Sequence, residues 1–562
     1  MKRFAAVASA LLMLLEGLPA FAQTDPQQKQ PGFSATIDVR VINIDVVVTD
    51  KKGNPIKGLK KGDFEVLENG TPQKITNFSE ISVPAQPPTK KPVEPEVKAA
   101  PAVPVQVPEN QKRKIIIFVD NLSLNPFNRN RVFDSMEKFV KTAMRPGDEA
   151  MVATWNRSMK VRVPFTTDSE QITQMLEGIK GESAFGVHNL SDQKQTQDQI
   201  RDAQSYDQAV AAARQYAQSV EHDLRQTVSA VNGLMTTLAG VEGKKIMVMT
   251  SEGFPMQPGK DMFYFIDDIQ REKSNWQGRG SSLLEGMSFN SAGLIQSLAR
   301  TANANGITLY TLHAGGLSAY GAGATAENRS PVSYNVQQAA LSNSTDSLQL
   351  LAQMTGGLAT VGTNNFDGAF NQIENDLEHY YSIGYRAGTE RVDRQRGVAV
   401  RMKNRNYVVR ARQTFVEKSV PSEMNDRVIA NIFYEGQPND LNITVTTGQP
   451  VSVEEDRFKV PVEVHIPMDN LTFLPQGEMN VASFTVYFVA ANQLGDMSDV
   501  THQSHQIRLS KSELEKAKGD YYTFSAELLL EKGPNKISVG VVDDGSYVTG
   551  FRRQNILAAD LR

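Results

Sequence analysis

Between residues 36 and 49 the chain reads TIDVRVINIDVVVT. Ile37, Val39 and Val41 fall on one side of the alternation, and Asp38 and Arg40 on the other. A period of two predicts a half-buried strand. A DKKGNP turn follows, and DFEVLENGTPQKITNF then predicts two strands folded back at ENGTP. Residues 33–80 are therefore expected to form a small β module, too small to be very stable by itself. Residues 81–112 lose all periodicity and hold eight prolines among Ala, Val, Lys and Glu. That composition predicts an extended, semi-rigid linker.

At 113 the pattern changes. KIIIFV (114–119) is a continuous apolar run, suited to a strand covered on both faces. Val132, Phe133, Met136, Phe139, Val140 and Met144 share one face of a helix over 129–145. DEAMVATW and KVRVPF predict two strands, and 168–180 a helix. From Tyr206 to Leu238 the apolar positions recur about every 3.6 residues, the α-helical period. The Gln-rich start of this region, from about 193 to 220, reads as a solvated extension, with projection or coiled-coil pairing as alternatives. KKIMVMT (244–250) and ITLYTLH (307–313) are further buried strands. Between and after them lie long loops over 251–289 and 314–344, the first followed by a helix ending at Gly306. A helix capped by Thr345, a short edge strand LATVG and a helix over 366–380 complete the series. Strands alternating with helices predict an α/β domain over 113–380 with a mostly parallel sheet.

Strand character returns at 381–418, a stretch that flanks the α/β domain opposite the first β module and could complete it. From 430 to 562 the strands LNITVTT, FKVPVEVHIP, VASFTVYFVA, YTFSAELLL and NKISVGVVDD, most parted by turn residues, predict a β-sandwich.

Composition narrows the function. The 562 residues carry a formal net charge of −4 with scattered basic positions, which argues against a nucleic-acid binder. MKRFAAVASALLMLLEGLPAFAQ has the basic, apolar and A-x-A parts of a signal peptide, with cleavage expected after Ala22. Export to the periplasm or beyond the cell follows, and no later segment is apolar enough to span a bilayer. There is no cysteine, so disulfides, thiolate sites and a lipid-modified cysteine are excluded.

Ligands of open α/β sheets bind beyond the carboxyl ends of the strands. Loops 120–128, 251–289 and 314–344 leave such ends. The first offers Asp120, Asn121, Ser123 and Asn125, and the second opens with Ser251 and Glu252. Carboxylates from two neighbouring strand ends, with hydroxyls, suit a hard divalent ion. In this element order the chain resembles a von Willebrand factor type A domain. More closely it is similar to the VWFA-related secreted proteins of acidobacteria, which place that domain after a short β module. The resemblance rests on INIDVVVTDKKGNPIKGLKKGDFEVLENGTPQKITNF, KKIMVMTSEGF, LAQMTGG and HYYSIGY. It implies a Rossmann-like domain with helices on both faces. It also implies a metal-ion-dependent adhesion site for Mg²⁺ or Mn²⁺, at which an acidic side chain of a protein partner completes the metal shell.

The motif is degenerate here. Asp120 matches the first aspartate, but Leu122 and Leu124 stand at the two serine positions, and Ser123 and Asn125 are one residue out of phase. Glu252 stands where the family has aspartate. A metal on Asp120, Ser123 and Glu252 is one reading; Asp120 as a cap or loop brace is the other, and the departures favour it. Asn121, Asn125, Phe254, Tyr264, Trp276 and Tyr320 are the candidate partner contacts, with burial beneath the loops an equal outcome for the aromatic ones. No catalytic residue is expected: there is no phosphate-binding loop, nucleophile elbow or dinucleotide fingerprint, and His502 and His505 lack the glutamate of a zinc-protease motif. His313 is the one histidine expected near the rim. The chain reads as a non-enzymatic binding protein. The alternatives are an envelope assembly component acting, with self-association, through helix 200–238, and, further off, a hydrolase.

Overall fold

The computed structural model describes residues 41–82, 112–273, 276, 280–317, 333–386, 392–454 and 456–559. The expected signal peptide, most of the expected linker and Tyr320 lie outside these residues. Contacts divide the chain into two units. One comprises Arg40–Thr236 and Glu242–Glu417; the other holds Lys418–Arg562 with Thr237–Val241.

The first unit begins with β1 (Val41–Thr49), β2 (Phe64–Glu68), β3 (Thr71–Gln73) and β4 (Ile75–Ser82). Asn69 and Gly70, both at positive φ, make the tight turn between β2 and β3, as an Asn-Gly pair favours. After the linker come β5 (Arg113–Asp120), α1 (Pro126–Ala143), β6 (Glu149–Trp155), β7 (Met159–Thr166), α2 (Ser169–Lys180), α3 (Gly186–Asp202) and α4 (Tyr206–Thr237). Then follow β8 (Lys244–Ser251), α5 (Lys260–Glu272), α6 (Leu283–Gly286), α7 (Ala292–Ala304), β9 (Ile307–His313), α8 (Tyr334–Thr355), β10 (Ala359–Thr360) and α9 (Phe366–Glu378). Four strands close the unit: β11 (His379–Arg386), β12 (Gln395–Met402), β13 (Val408–Ala411) and β14 (Thr414–Val416).

Six strands form one sheet in the order β10-β9-β8-β5-β6-β7. All neighbours are parallel except the antiparallel edge strand β7. β5 is buried at every position, as its unbroken apolar run requires. On one face Ile115, Ile117, Ile246 and Val248 meet Phe133, Leu176 and Phe370 from α1, α2 and α9. On the other, Trp155 Nε1 donates to Thr227 of α4, and Thr311 donates to the Leu348 carbonyl of α8.

The β module is discontinuous in sequence. β11 lies between β1 and β4, and β12 pairs with β2. Two four-stranded sheets, β13-β1-β11-β4 and β14-β12-β2-β3, enclose one core of Ile44, Val46, Val66, Ile383, Val398 and Phe415.

The second unit carries α10 (Val420–Phe433), then β15 (Thr444–Thr447), β16 (Val451–Glu454), β17 (Arg457–Pro467), β18 (Leu474–Gln476), β19 (Met479–Asn492), β20 (Thr501–Ser510), α11 (Lys511–Lys516), β21 (Tyr521–Glu531), β22 (Gly533–Asp543) and β23 (Thr549–Ala558). Two antiparallel sheets share a core in which Phe458, Val460 and Val462 of β17 meet Phe484 and Val486 of β19. The register settles the two histidines. They lie on strand β20 rather than in a loop, opposite Tyr487 and Phe484. Three residues apart on a strand, His502 and His505 face opposite sides, so they cannot share a ligand.

Several expected loops are helices. Loop 251–289 contains α5 and α6, and α8 starts at Tyr334 with Ser333 as its cap. Thr345 sits inside α8, its hydroxyl donating back to the Leu341 carbonyl. The single long helix is two, α3 and α4. Ile200, Val210, Ala213 and Ala217 pack against Phe263, Phe265 and Ile266 of α5. Its apolar face is therefore used inside its own unit.

Candidate functional site

The sheet ends β5, β8 and β9 abreast. Val119 is level with Thr250, and Ser251 with His313. Asp120, the last residue of β5, is 1% exposed. Its Oδ2 accepts hydrogen bonds from Ser123 Oγ at 2.7 Å and from Ser251 Oγ at 2.8 Å. The turn after β5 folds Ser123 back onto Asp120, so the out-of-phase serine does reach the carboxylate. Ser123 Oγ also accepts from the Glu252 N–H at 3.1 Å, and Ser251 Oγ from the Gly253 N–H at 3.0 Å. Burial pushes the Asp120 carboxyl above the usual range, opposed by these hydroxyls.

Glu252 is held by Asn128, whose Nδ2 donates at 2.9 Å. His313 Nε2 lies 3.6 Å from its other oxygen. Burial raises the Glu252 carboxyl. Burial, with Arg131 nearby, lowers His313 to about 4, so the ring is neutral beside the carboxylate.

α3 completes the loop. Its first residue, Gly186, donates to the Leu124 carbonyl at 3.0 Å, and Phe185 to that of Asn121 at 2.8 Å. A Cβ on Gly186 would lie 2.4 Å from the Ser123 carbonyl oxygen, so only glycine permits this approach. Between this loop, α3, α4, the start of the β8–α5 segment and α8 lies a cavity of about 360 Å³. Asp120, Asn125, Asn128, Asp223, Glu252, Asp261 and Asn343 supply much of its polar lining. A second cavity of about 680 Å³, beside β12 and β13, has no carboxylate in its wall.

Of the candidate contacts, Asp120, Ser123, Asn125 and Glu252 all line the first cavity. Asn125 also caps α1, accepting from the Phe127 N–H. Asn121 is buried instead, where its Oδ1 takes a hydrogen bond from Arg129. Trp276 is 1% exposed within the α3–α4–α5 core, with Tyr264 packed against that core. Phe254 also reaches the cavity wall but is almost wholly buried. Asn121, Phe254 and Trp276 are buried, so for those two aromatics the burial alternative holds, while Tyr264 on α5 is half-buried. Leu190 (57% exposed) lines the cavity, and Phe127 (75%) and Val187 (52%) are exposed apolar residues adjacent in sequence to the lining residues Asn128 and Gly186. Sequence reasoning missed them, along with Ser251 as a partner of Asp120. The TSEG phrase offered the hydroxyl, but nothing in it gave the direction.

The residues do not fit a divalent-metal shell. Leu122 and Leu124, at the family's hydroxyl positions, are buried. Ser123 Oγ and Ser251 Oγ each already accept a backbone N–H, from Glu252 and Gly253, and lie 3.0 Å from one another. Among the described residues no three His, Asp or Glu side chains are grouped to hold a metal.

No protein-family model matches the chain, and no curated protein matches it. Among solved structures it is similar to a serine-substituted aerotolerance-related membrane protein from Bacteroides fragilis, at 11% identity over 47% of this chain and 98% of that one, with TM-score 0.21. It is also similar to the conserved hypothetical protein BatB from Bacteroides thetaiotaomicron, at 10% identity over 47% and 96%, with TM-score 0.22. A third is manganese-loaded TRAP from Plasmodium vivax, at 8% identity over 55% and 95%, with TM-score 0.21. At TM-scores this low the likenesses carry no inference for this chain.

Proposed function

We propose that this chain is an exported, non-enzymatic binding protein of the von Willebrand factor type A class. It engages a protein partner at the rim where β5, β8 and β9 end, and it does so without a divalent ion. One observation carries the reading: a polar cavity opens at the strand ends with exposed Leu190 in its wall, and exposed Phe127 and Val187 are the chain neighbours of the lining residues Asn128 and Gly186. Apolar side chains around a concave polar centre suit a protein contact. The parallel sheet with one antiparallel edge strand supports the class.

The chemistry at the rim supports binding over catalysis. Ser123 and Ser251 donate to Asp120, and His313 faces Glu252 rather than a hydroxyl. A hydrolase needs a nucleophile within reach of a base. Assembly through the long helix is less well supported, because α3 and α4 spend their apolar face on α5. No helix among the described residues is long and apolar enough to cross a membrane. Export rests on residues 1–22 and predicts a mature chain starting at Gln23, which mass spectrometry of the exported protein would check.

The binding test is to pan a displayed random-peptide library against the full chain. Enriched peptides should bind the wild type and lose binding to a Phe127→Ser, Val187→Ser, Leu190→Ser triple variant of unchanged melting temperature. Peptides indifferent to that variant would sink the reading.

A further inference from the structure

Resting on that reading, we propose that the rim cavity receives a lysine or arginine side chain of the partner. The cationic head lies against Glu252 and Asp223, and the aliphatic stem against Leu190 and Leu224. The adhesion site implied by the resemblance works with the opposite sign, taking an acidic side chain through a metal.

Charge and shape point the same way from separate observations. Four carboxylates, Asp120, Asp223, Glu252 and Asp261, line the cavity, and among the described residues no lysine, arginine or histidine does. Among the described residues none of Asp120, Glu252 and Asp261 is ion-paired to Lys or Arg. Asp120 is bonded by hydroxyls, Glu252 by an amide, and Asp261 by Gln193 Nε2 at 2.6 Å. Asp223 has one cation, Arg157, at 3.4 Å in an exposed contact that an incoming group can replace. Burial shifts the Asp120, Glu252 and Asp261 carboxyls toward their protonated forms, opposed at Glu252 by the charge of Arg131. An entering ammonium or guanidinium would restore their charge.

The shape is the second line. Leu122, Leu190, Val220, Leu224 and Phe254 form an apolar part of the wall between the polar groups. Lysine and arginine carry an aliphatic stem and a charged head, and bury the stem along such walls. The exposed apolar residues at the mouth would lie under the partner residues flanking that side chain. An acidic partner residue would meet four carboxylates, with no lysine or arginine among the described residues of the wall, which like-charge repulsion disfavours.

Two measurements on the full chain test this. In ligand-observed NMR, N-acetyl-arginine methylamide and N-acetyl-lysine methylamide should show saturable binding, while the uncharged norleucine analogue should not. Glu252→Gln with Asp223→Asn should weaken the cationic probes at least fivefold. Asp223→Asn alone, at the exposed side of the cavity, should weaken them measurably with the fold intact. Equal binding of the norleucine analogue, or binding unchanged in both variants, overturns the proposal. So does binding of N-acetyl-glutamate methylamide that requires Mg²⁺. The panned peptides separate this inference from the reading it rests on. Rim-dependent peptides rich in lysine or arginine support both. Rim-dependent peptides without basic residues leave the binding function standing and remove the cationic occupant. Rim-independent peptides remove both.

Discussion

The two ends of the six-stranded sheet treat buried charge in opposite ways. At the amino ends of the parallel strands, carboxylates are matched to cations. Arg113 Nε lies 2.8 and 2.9 Å from the two oxygens of Asp148, and Lys114 pairs with Glu149 at 2.9 Å. Lys244 meets Asp45 at 3.1 Å and lies over the Tyr380 ring, while Arg410 clasps Asp376 at 2.6 and 2.7 Å. These pairs sit where the β module joins the sheet. At the carboxyl ends, Asp120 and Glu252 have hydroxyls and amides instead. The same residue type braces the structure at one end and is left short of positive charge at the other. The proposed site lies where the fold leaves charge unmatched.

The largest expected effect breaks the matched end. Asp148→Ala strands the Arg113 guanidinium in a buried site and should cost about 3–5 kcal/mol, read by urea unfolding. An equal loss from Glu252→Ala would erase the contrast between the ends. Next is His313. Its value falls from 6.5 to about 4 in the fold. The unfolded chain therefore takes up the proton first as pH drops. Stability is fully present above about pH 6.5 and is lost toward pH 4, by at most about 3 kcal/mol. His313→Gln should flatten that part of the profile. Asp120→Ala leaves two buried hydroxyls without their acceptor and should cost about 1–3 kcal/mol. Asp120→Asn should cost less and should change the pH profile. The raised Asp120 carboxyl favours folding at low pH, and that contribution is lost as pH rises above 3.8, so the amide should remove the loss. The smallest effect is expected from metal: Mg²⁺ or Mn²⁺ should leave the melting temperature of the full chain unchanged. Saturable stabilisation abolished by Asp120→Asn would restore the metal reading of the rim.

Strand positions were legible where one residue pattern has one structural answer. KIIIFV and KKIMVMT can scarcely be anything but covered strands, and the ends of β5 and β8 follow from where their apolar runs stop. Asp120 and Glu252 were visible for that reason. The remaining cavity was not. Periodicity told that α4 buries one face, but not that Asp223 and Glu252 would line the same cavity. The aromatic residues of α5 read as loop anchors because GFPMQPG before them looks like the start of a long loop. Helical spacing of Met262, Phe263, Ile266 and Ile269 was present and was outweighed by that opening. Ser123 illustrates the limit of motif phase. Counting positions along a regular strand turns it away from Asp120, whereas the tight turn after β5 brings it back.

The divided β module has a consequence for how the chain matures. Leu59 donates its N–H to the hydroxyl of Tyr381, 322 residues further on. β1 to β4 emerge first during synthesis, yet β1 and β4 pair with β11, which is made after the whole α/β domain. Contacts this distant are slow to form if a loose chain must close them, since closure entropy comes before any gain. A folded α/β domain shortens the search. It fixes Arg113 and Glu378 as neighbouring ends of one body through Arg145, which pairs with Glu378 beside the site of Arg113 and Asp148. The inserted domain thereby works as a folding template for the module that encloses it. Destabilising the insert should slow completion of the β module even when every residue of that module is unchanged.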